Sequence, residues 1–187
     1  TQLEVNNASM ALENAFRGLV IETKDFEDNT AQGFTGRGNA RVSVTDEANH
    51  TDGGSYSLKV TGRSASWHGA ILDVTKFIRN NSKYRASAWV KLINTGTEDD
   101  TTTVKLTSEV RIGNNTNWPN LDEKPISVSD GWIKLEGVYT YKDIQNAAIY
   151  IESTSTTASY YIDDIVFECI DGKDIDAPTW PEESSLT

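Results

Sequence analysis

Residues 87–92 read SAWVKL, and the order of these residues decides the fold. Ala88, Val90 and Leu92 fall on one side of an extended chain and Trp89 and Lys91 on the other, because successive side chains of a strand point to opposite faces. One face meets a core, and the other meets solvent or a second layer.

Segments of this kind recur. Runs rich in Val, Ile, Thr, Tyr and Trp occupy residues 40–45, 56–61, 69–73, 84–93, 101–112, 126–128, 133–141, 147–153 and 160–169. Turn residues separate them at Asp52-Gly53-Gly54, 94–96, 113–117 and Asp130-Gly131. Short strands punctuated in this way predict an all-β fold, a sandwich or barrel. Only ASMALENAFRGL, residues 8–19, approximates the period of a helix, and it serves equally as an extended lead-in. The tail from Asp171, with its charges and prolines, reads as a linker of a longer chain. The expected organisation is a lead-in over 1–24, a sandwich over 25–170 and a linker over 171–187.

The 187 residues suffice for one domain with a real core, and their net charge is −11. The acids are spread along the chain, which argues against nucleic acid or an anionic membrane surface as partner, since both need a basic footprint. No apolar run approaches the roughly 18 to 20 residues that span a bilayer, and nothing reads as a signal peptide. The single Cys169 permits no internal disulfide and reads as a small buried hydrophobe.

Catalytic signals are missing from the sequence. His50 and His68 both sit in turn-rich stretches, and there is no G-x-S-x-G elbow. The glycines of GFTGRG, residues 33–38, lack a G-K-[ST] ending. With 28 acidic residues some carboxylate pair always exists, so their number does not argue for a glycosidase.

Binding signals are present. Of the five tryptophans, Trp89 and Trp132 lie in regular strands and are expected in the core. Trp67 and Trp118 sit among polar turn residues in RSASWHG and NNTNWPN. Each either plugs an end of the sandwich or offers a flat apolar face to the C–H face of a sugar ring. In AAIYIES, residues 147–153, Ile149 and Ile151 share the core face, so Tyr150 and Glu152 project outward, an aromatic beside a carboxylate that suits a polyol. Asp25 and Glu27 near the start, and Asp163 and Asp164 near the end, are either unconnected surface acids or oxygen ligands for a hard cation such as calcium, completed by carbonyls of the DGGSY turn.

The succession FEDNTAQGFTGRG, GGSYSLKVTGRSASWHGAILDVT, YRASAWVKL, DGWIKLEGVYT and YIESTSTTASYYIDDIVFE resembles the family 22 carbohydrate-binding modules and the wider family 4, 9 and 22 group, from about Asp25 to Glu168. The resemblance implies a jelly-roll of two antiparallel sheets whose concave cleft binds xylan, xylo-oligosaccharides or mixed-linkage β-1,3-1,4-glucan without catalysis. Such a module is secreted and joined to a glycoside hydrolase catalytic domain. The cleft residues it implies are Arg37 of G-R-G, Trp67 of R-x-A-x-W-x-G, and Tyr150 and Glu152. His68, beside Trp67, is counted with the ligand-binding residues.

Two positions depart from the family pattern. Ala148 stands where the strand's first Tyr is expected, and a second cleft Tyr falls at or near Val110. Trp118 is our candidate for the opposing aromatic wall. The resemblance also implies a structural Ca²⁺ held by Glu27 and Asp163, with main-chain groups near Asp25 and Tyr56. An enzyme on the same jelly-roll, and a purely structural or thermostabilising module, are the competing readings.

Overall fold

The computed structural model describes residues 2, 5, 21–94 and 100–171. The helix-like stretch 8–19 and nearly all of the linker therefore lie outside the described residues. The strands are β1 (Ile21–Lys24), β2 (Thr35–Arg37), β3 (Arg41–Thr45), β4 (Ser57–Thr61), β5 (Gly69–Asp73), β6 (Ser82–Leu92), β7 (Thr101–Ile112), β8 (Asn115–Asn117), β9 (Asn120–Ser127), β10 (Trp132–Tyr141), β11 (Asn146–Ser153) and β12 (Tyr160–Cys169). Single turns of 3-10 helix lie at Thr75–Phe77 and Val128–Asp130.

Two six-stranded sheets face each other, as expected for the sandwich. Sheet A runs β10-β6-β12-β4-β3, with β1 also against β12; sheet B runs β2-β5-β11-β7-β8, with β9 also against β7. Every pairing between these strands is antiparallel. The alternation in SAWVKL is realised on β6, where Ala86, Ala88, Val90 and Leu92 are buried between the sheets. From sheet B, Leu72, Val104, Leu106, Val110, Ile149 and Ile151 meet them. Across one end of the core the Tyr84 ring stacks on Phe167 with centroids 4.9 Å apart. Cys169 is free and buried, as read.

Three elements escape the sequence pattern: β1, β2 and β8 are edge strands of three or four residues, too short to display a period of two. Residues 21–24, read as lead-in, pair in register with Lys24 opposite Ile165, so the sandwich takes in β1. Strand β12 exchanges neighbours midway, pairing β4 over Tyr160–Ile162 and β1 over Ile165–Glu168. On its other side, against β6, a bulge between Asp163 and Val166 shifts the register, and Asp164 adopts φ 44°.

Trp89 and Trp132 correct the expectation of core tryptophans. Both lie half-buried on the outer face of sheet A, because Ala88 and Val90 take the inner one. The His50 ring covers Trp89, stacked at 3.9 Å, and meets Trp132 edge-on at 5.6 Å. A loop thus shields apolar area that the core does not reach.

Candidate functional site

The outer face of sheet B carries the site. Strand registers set its side chains in rows across the strands. Thr35, Ile71, Tyr150 and Thr107 form one row, Arg37, Gly69, Glu152 and Lys105 the next, and Asp73, Ala148 and Glu109 a third on the far side of Tyr150. Alternation along β11 buries Ile149 and Ile151 and turns Tyr150 and Glu152 to this face.

Arg37 organises the face. Its Nη1 donates to the Trp67 carbonyl at 2.6 Å, and its Nη2 donates to Glu109 Oε2 at 3.2 Å. The same Glu109 oxygen accepts the Trp118 indole N–H at 3.1 Å. The guanidinium carbon lies 4.2 Å from the Tyr150 ring centroid and 5.2 Å from that of Trp67, both within cation–π reach. A continuous link therefore runs Trp67, Arg37, Glu109, Trp118. Its two ends are the most exposed aromatic rings among the described residues, Trp67 at 50% and Trp118 at 55%.

Tyr150 departs from expectation. It belongs to this face but is only 2% exposed, because Arg37 lies on its ring; it forms the floor beneath the guanidinium and offers no open stacking surface. Burial, helped by the neighbouring Glu152 charge, pushes its hydroxyl up to about 12, so it stays neutral at ordinary pH. Glu152 accepts the Thr107 hydroxyl at 3.3 Å. Burial raises its carboxyl above the ordinary glutamate range, against the pull of Arg37. A depression of about 270 Å³ beside it is lined by Trp67, Lys105, Glu152 and Thr154 among others.

Val110 is fully buried, so the position taken for a cleft tyrosine points into the core; its neighbours Glu109 and Arg111 face outward. Glu109 was legible in the alternation Val104, Leu106, Ser108, Val110, which turns Lys105, Thr107 and Glu109 the other way.

His68, expected among the ligand-binding residues, is covered in the structure. It is only 4% exposed and lies under the loop. Its Nδ1 accepts the backbone N–H of Ser64 at 3.1 Å and of Asn39 at 3.4 Å, which puts the proton of the neutral ring on Nε2. Its ring packs edge-on against Trp67 at 4.3 Å. Gly38, at φ 65°, passes so close that a Cβ there would lie 2.2 Å from the His68 ring. His68 supports the tryptophan from below.

Arg63 is the residue that sequence reasoning missed. It is 4% exposed, and its guanidinium donates to the carbonyls of Ala65, Ser66 and His68 in its own loop and of Ser153, Ser155 and Ala158 across from it. It fastens the Trp67 loop to the end of β11. The Arg of R-x-A-x-W-x-G was visible, but nothing in sequence marks an arginine as buried.

Glu27 and Asp163 approach one turn, 49–56, from two sides. Glu27 accepts the N–H groups of Ser55, at 2.8 Å, and Tyr56, at 2.9 Å. Asp163, fully buried, accepts the N–H groups of His50 at 2.7 Å and Asp164 at 2.8 Å. Asp25 takes the Glu27 N–H and the Gln32 amide. Among the described residues no three His, Cys, Asp or Glu side chains converge, so an ion at this turn would draw most of its ligands from main-chain carbonyls.

Comparison with known proteins shows the family of the chain. The family model described as "Carbohydrate binding domain" matches residues 19–158. The chain is 32% identical over 148 residues to endo-1,4-beta-xylanase C of Paenibacillus barcinonensis and 33% identical over 150 residues to endo-1,4-beta-xylanase A of Thermoanaerobacterium saccharolyticum. These matches cover 79% of the chain but only 13% and 12% of the two relatives. The structure of the CBM22-1 xylan-binding domain of the Paenibacillus barcinonensis protein Xyn10C superposes with a TM-score of 0.73 at 32% identity, over 80% of this chain and 93% of that one.

Proposed function

Because the chain belongs to the carbohydrate binding domain family, as one of its family 22 modules, we propose that it is a non-catalytic module that binds β-1,4-xylose chains along the outer face of sheet B. The observation that carries this reading is the pair of half-exposed tryptophans joined through Arg37 and Glu109. A pyranose ring has an apolar C–H face that stacks on indole, and its hydroxyls bond to charged groups. Trp67 and Trp118 supply the first kind of contact, and Arg37 and Glu152 the second.

In its parent chain the module keeps an attached glycoside hydrolase near an insoluble polysaccharide, which raises effective concentration without chemistry. That the relatives are endo-1,4-beta-xylanases supports this role, and the proposal includes a secreted location. Mixed-linkage β-glucan is a second ligand of the same face in this proposal, since its backbone presents similar rings. An open face buries little of the chain, so the expected dissociation constant is micromolar to millimolar, about 4 to 8 kcal/mol. We include a structural calcium ion at the turn 49–56, with Glu27 and Asp163 as its carboxylates; support comes from both side chains reaching that turn.

Calorimetric titration with xylohexaose tests the reading: saturable heat with a change in tryptophan fluorescence is expected. No heat with xylohexaose or with a mixed-linkage glucan oligosaccharide would leave only a structural role in the parent enzyme.

A further inference from the structure

Beside the link from Arg37 to Glu109 the face drops into a depression of about 360 Å³, bounded by Thr35, Ile71, Asp73, Glu109, Asn146 and Ala148. It exists because Ala148 is small: the rows of sheet B place Ala148 between Asp73 on β5 and Glu109 on β7, and a methyl group fills little of that gap. Glu109 belongs both to this depression and to the link between the tryptophans. The depression therefore lies to one side of a chain running from Trp67 to Trp118 across the strands, further along the strand direction. A substituent on that chain points into such a space.

We infer that this depression receives a neutral pentosyl branch of the xylose chain, a step that rests on the function proposed above. Its floor, Ile71 and Ala148, offers apolar surface to a small sugar, and Asp73, Asn146 and Thr35 surround it with hydroxyl-binding groups. Charge selects among branches. The described residues that line it include two carboxylates and no Lys, Arg or His, and the nearby Arg37 is paired with Glu109. A uronic acid branch would bring a third negative charge to this spot, whereas a neutral pentose brings hydroxyl donors to carboxylate acceptors.

The test compares three ligands by calorimetry: unbranched xylohexaose, a xylo-oligosaccharide carrying one arabinofuranosyl branch, and one carrying a glucuronosyl branch. The arabinofuranosyl ligand is expected to bind roughly three- to tenfold more tightly than the unbranched one, the value of one or two net hydrogen bonds. The glucuronosyl ligand is expected to bind more weakly than the arabinofuranosyl one, with a gap that narrows as salt rises. In Ala148→Tyr, whose ring fills the space, and independently in Asp73→Ala, the ratio of branched to unbranched affinity falls toward one. Equal affinity for unbranched and arabinofuranosyl ligands, a preference for the glucuronosyl ligand, or a ratio that survives both substitutions overturns the inference while the binding function stands. Failure of all three ligands to bind overturns both.

Discussion

The Arg37 guanidinium donates to the backbone carbonyl of Trp67 at 2.6 Å while its carbon lies 5.2 Å from that residue's ring. A charged group on one strand thus fixes both the loop and the ring that the loop displays. The ring itself stays half exposed, so its role in binding and its role in stability separate.

From that separation, Trp67→Ala lowers xylohexaose affinity by tenfold or more, about 1.4 kcal/mol, while the melting temperature hardly moves. Trp118→Ala does the same at the opposite end, since its exposed ring is held by its indole N–H to Glu109. Calorimetry paired with thermal melts checks both. A large fall in melting temperature in either variant would identify that tryptophan as a structural plug.

Arg63→Ala behaves in the opposite way. Removing a buried guanidinium takes donors from carbonyls of the Trp67 loop and of residues 153–158, and such a loss costs about 3 kcal/mol or more. For a chain of this size that lowers the melting temperature by roughly 6–12 °C. Xylohexaose affinity falls with it, because the Trp67 loop loses its fastening to β11. Arg63→Lys does not restore either property, since one ammonium cannot reach acceptors spread around a planar fork. A variant that melts and binds like the parent would refute the positioning role.

Glu152 gives a pH dependence with a definite sign. Its folded-state value is raised above the ordinary 4.5, chiefly by burial, so the folded state holds the proton more tightly than the unfolded one. Its contribution to stability is complete below 4.5 and is lost as pH rises through the raised folded value. Glu152→Gln therefore melts higher than the parent at pH 7, and the difference disappears in acid. Binding runs the other way: the ionised carboxylate is the better acceptor for sugar hydroxyls, so affinity drops as pH falls toward the raised value. In Glu152→Gln affinity is lower and flat across that window. Melts and titrations between pH 4 and 8 read both effects, and a parent whose affinity is flat in that range would remove Glu152 from the ligand contacts.

Chelation probes the turn 49–56. An ion bound only by the folded chain stabilises it by mass action, so EDTA lowers the melting temperature and added calcium restores it. Glu27→Gln abolishes the response. An unchanged melt in EDTA removes calcium from the description of this turn.

The amino-acid sequence alone determined the class of fold and the identity of its displayed aromatics. A period of two, as in SAWVKL and AAIYIES, is a local property: the pleat dictates it residue by residue, and it sets Ala88 with Val90, and Ile149 with Ile151, on one side of their strand whatever the rest of the chain does. Trp67 and Trp118 stood out for a similarly local reason, as large rings among residues too small and polar to cover them.

Tertiary structure decided what those residues do together. Arg37 and Glu109 are 72 positions apart and meet only because β2, β5, β11 and β7 align in one sheet, and their pairing is what covers Tyr150 and joins the two tryptophans. Burial of Arg63 and His68, and the covering of Trp89 by His50, depend on loops folding over strand ends. Alternation tells a residue its face; which partner covers that face is settled by chain segments distant in sequence, through contacts that no local pattern encodes.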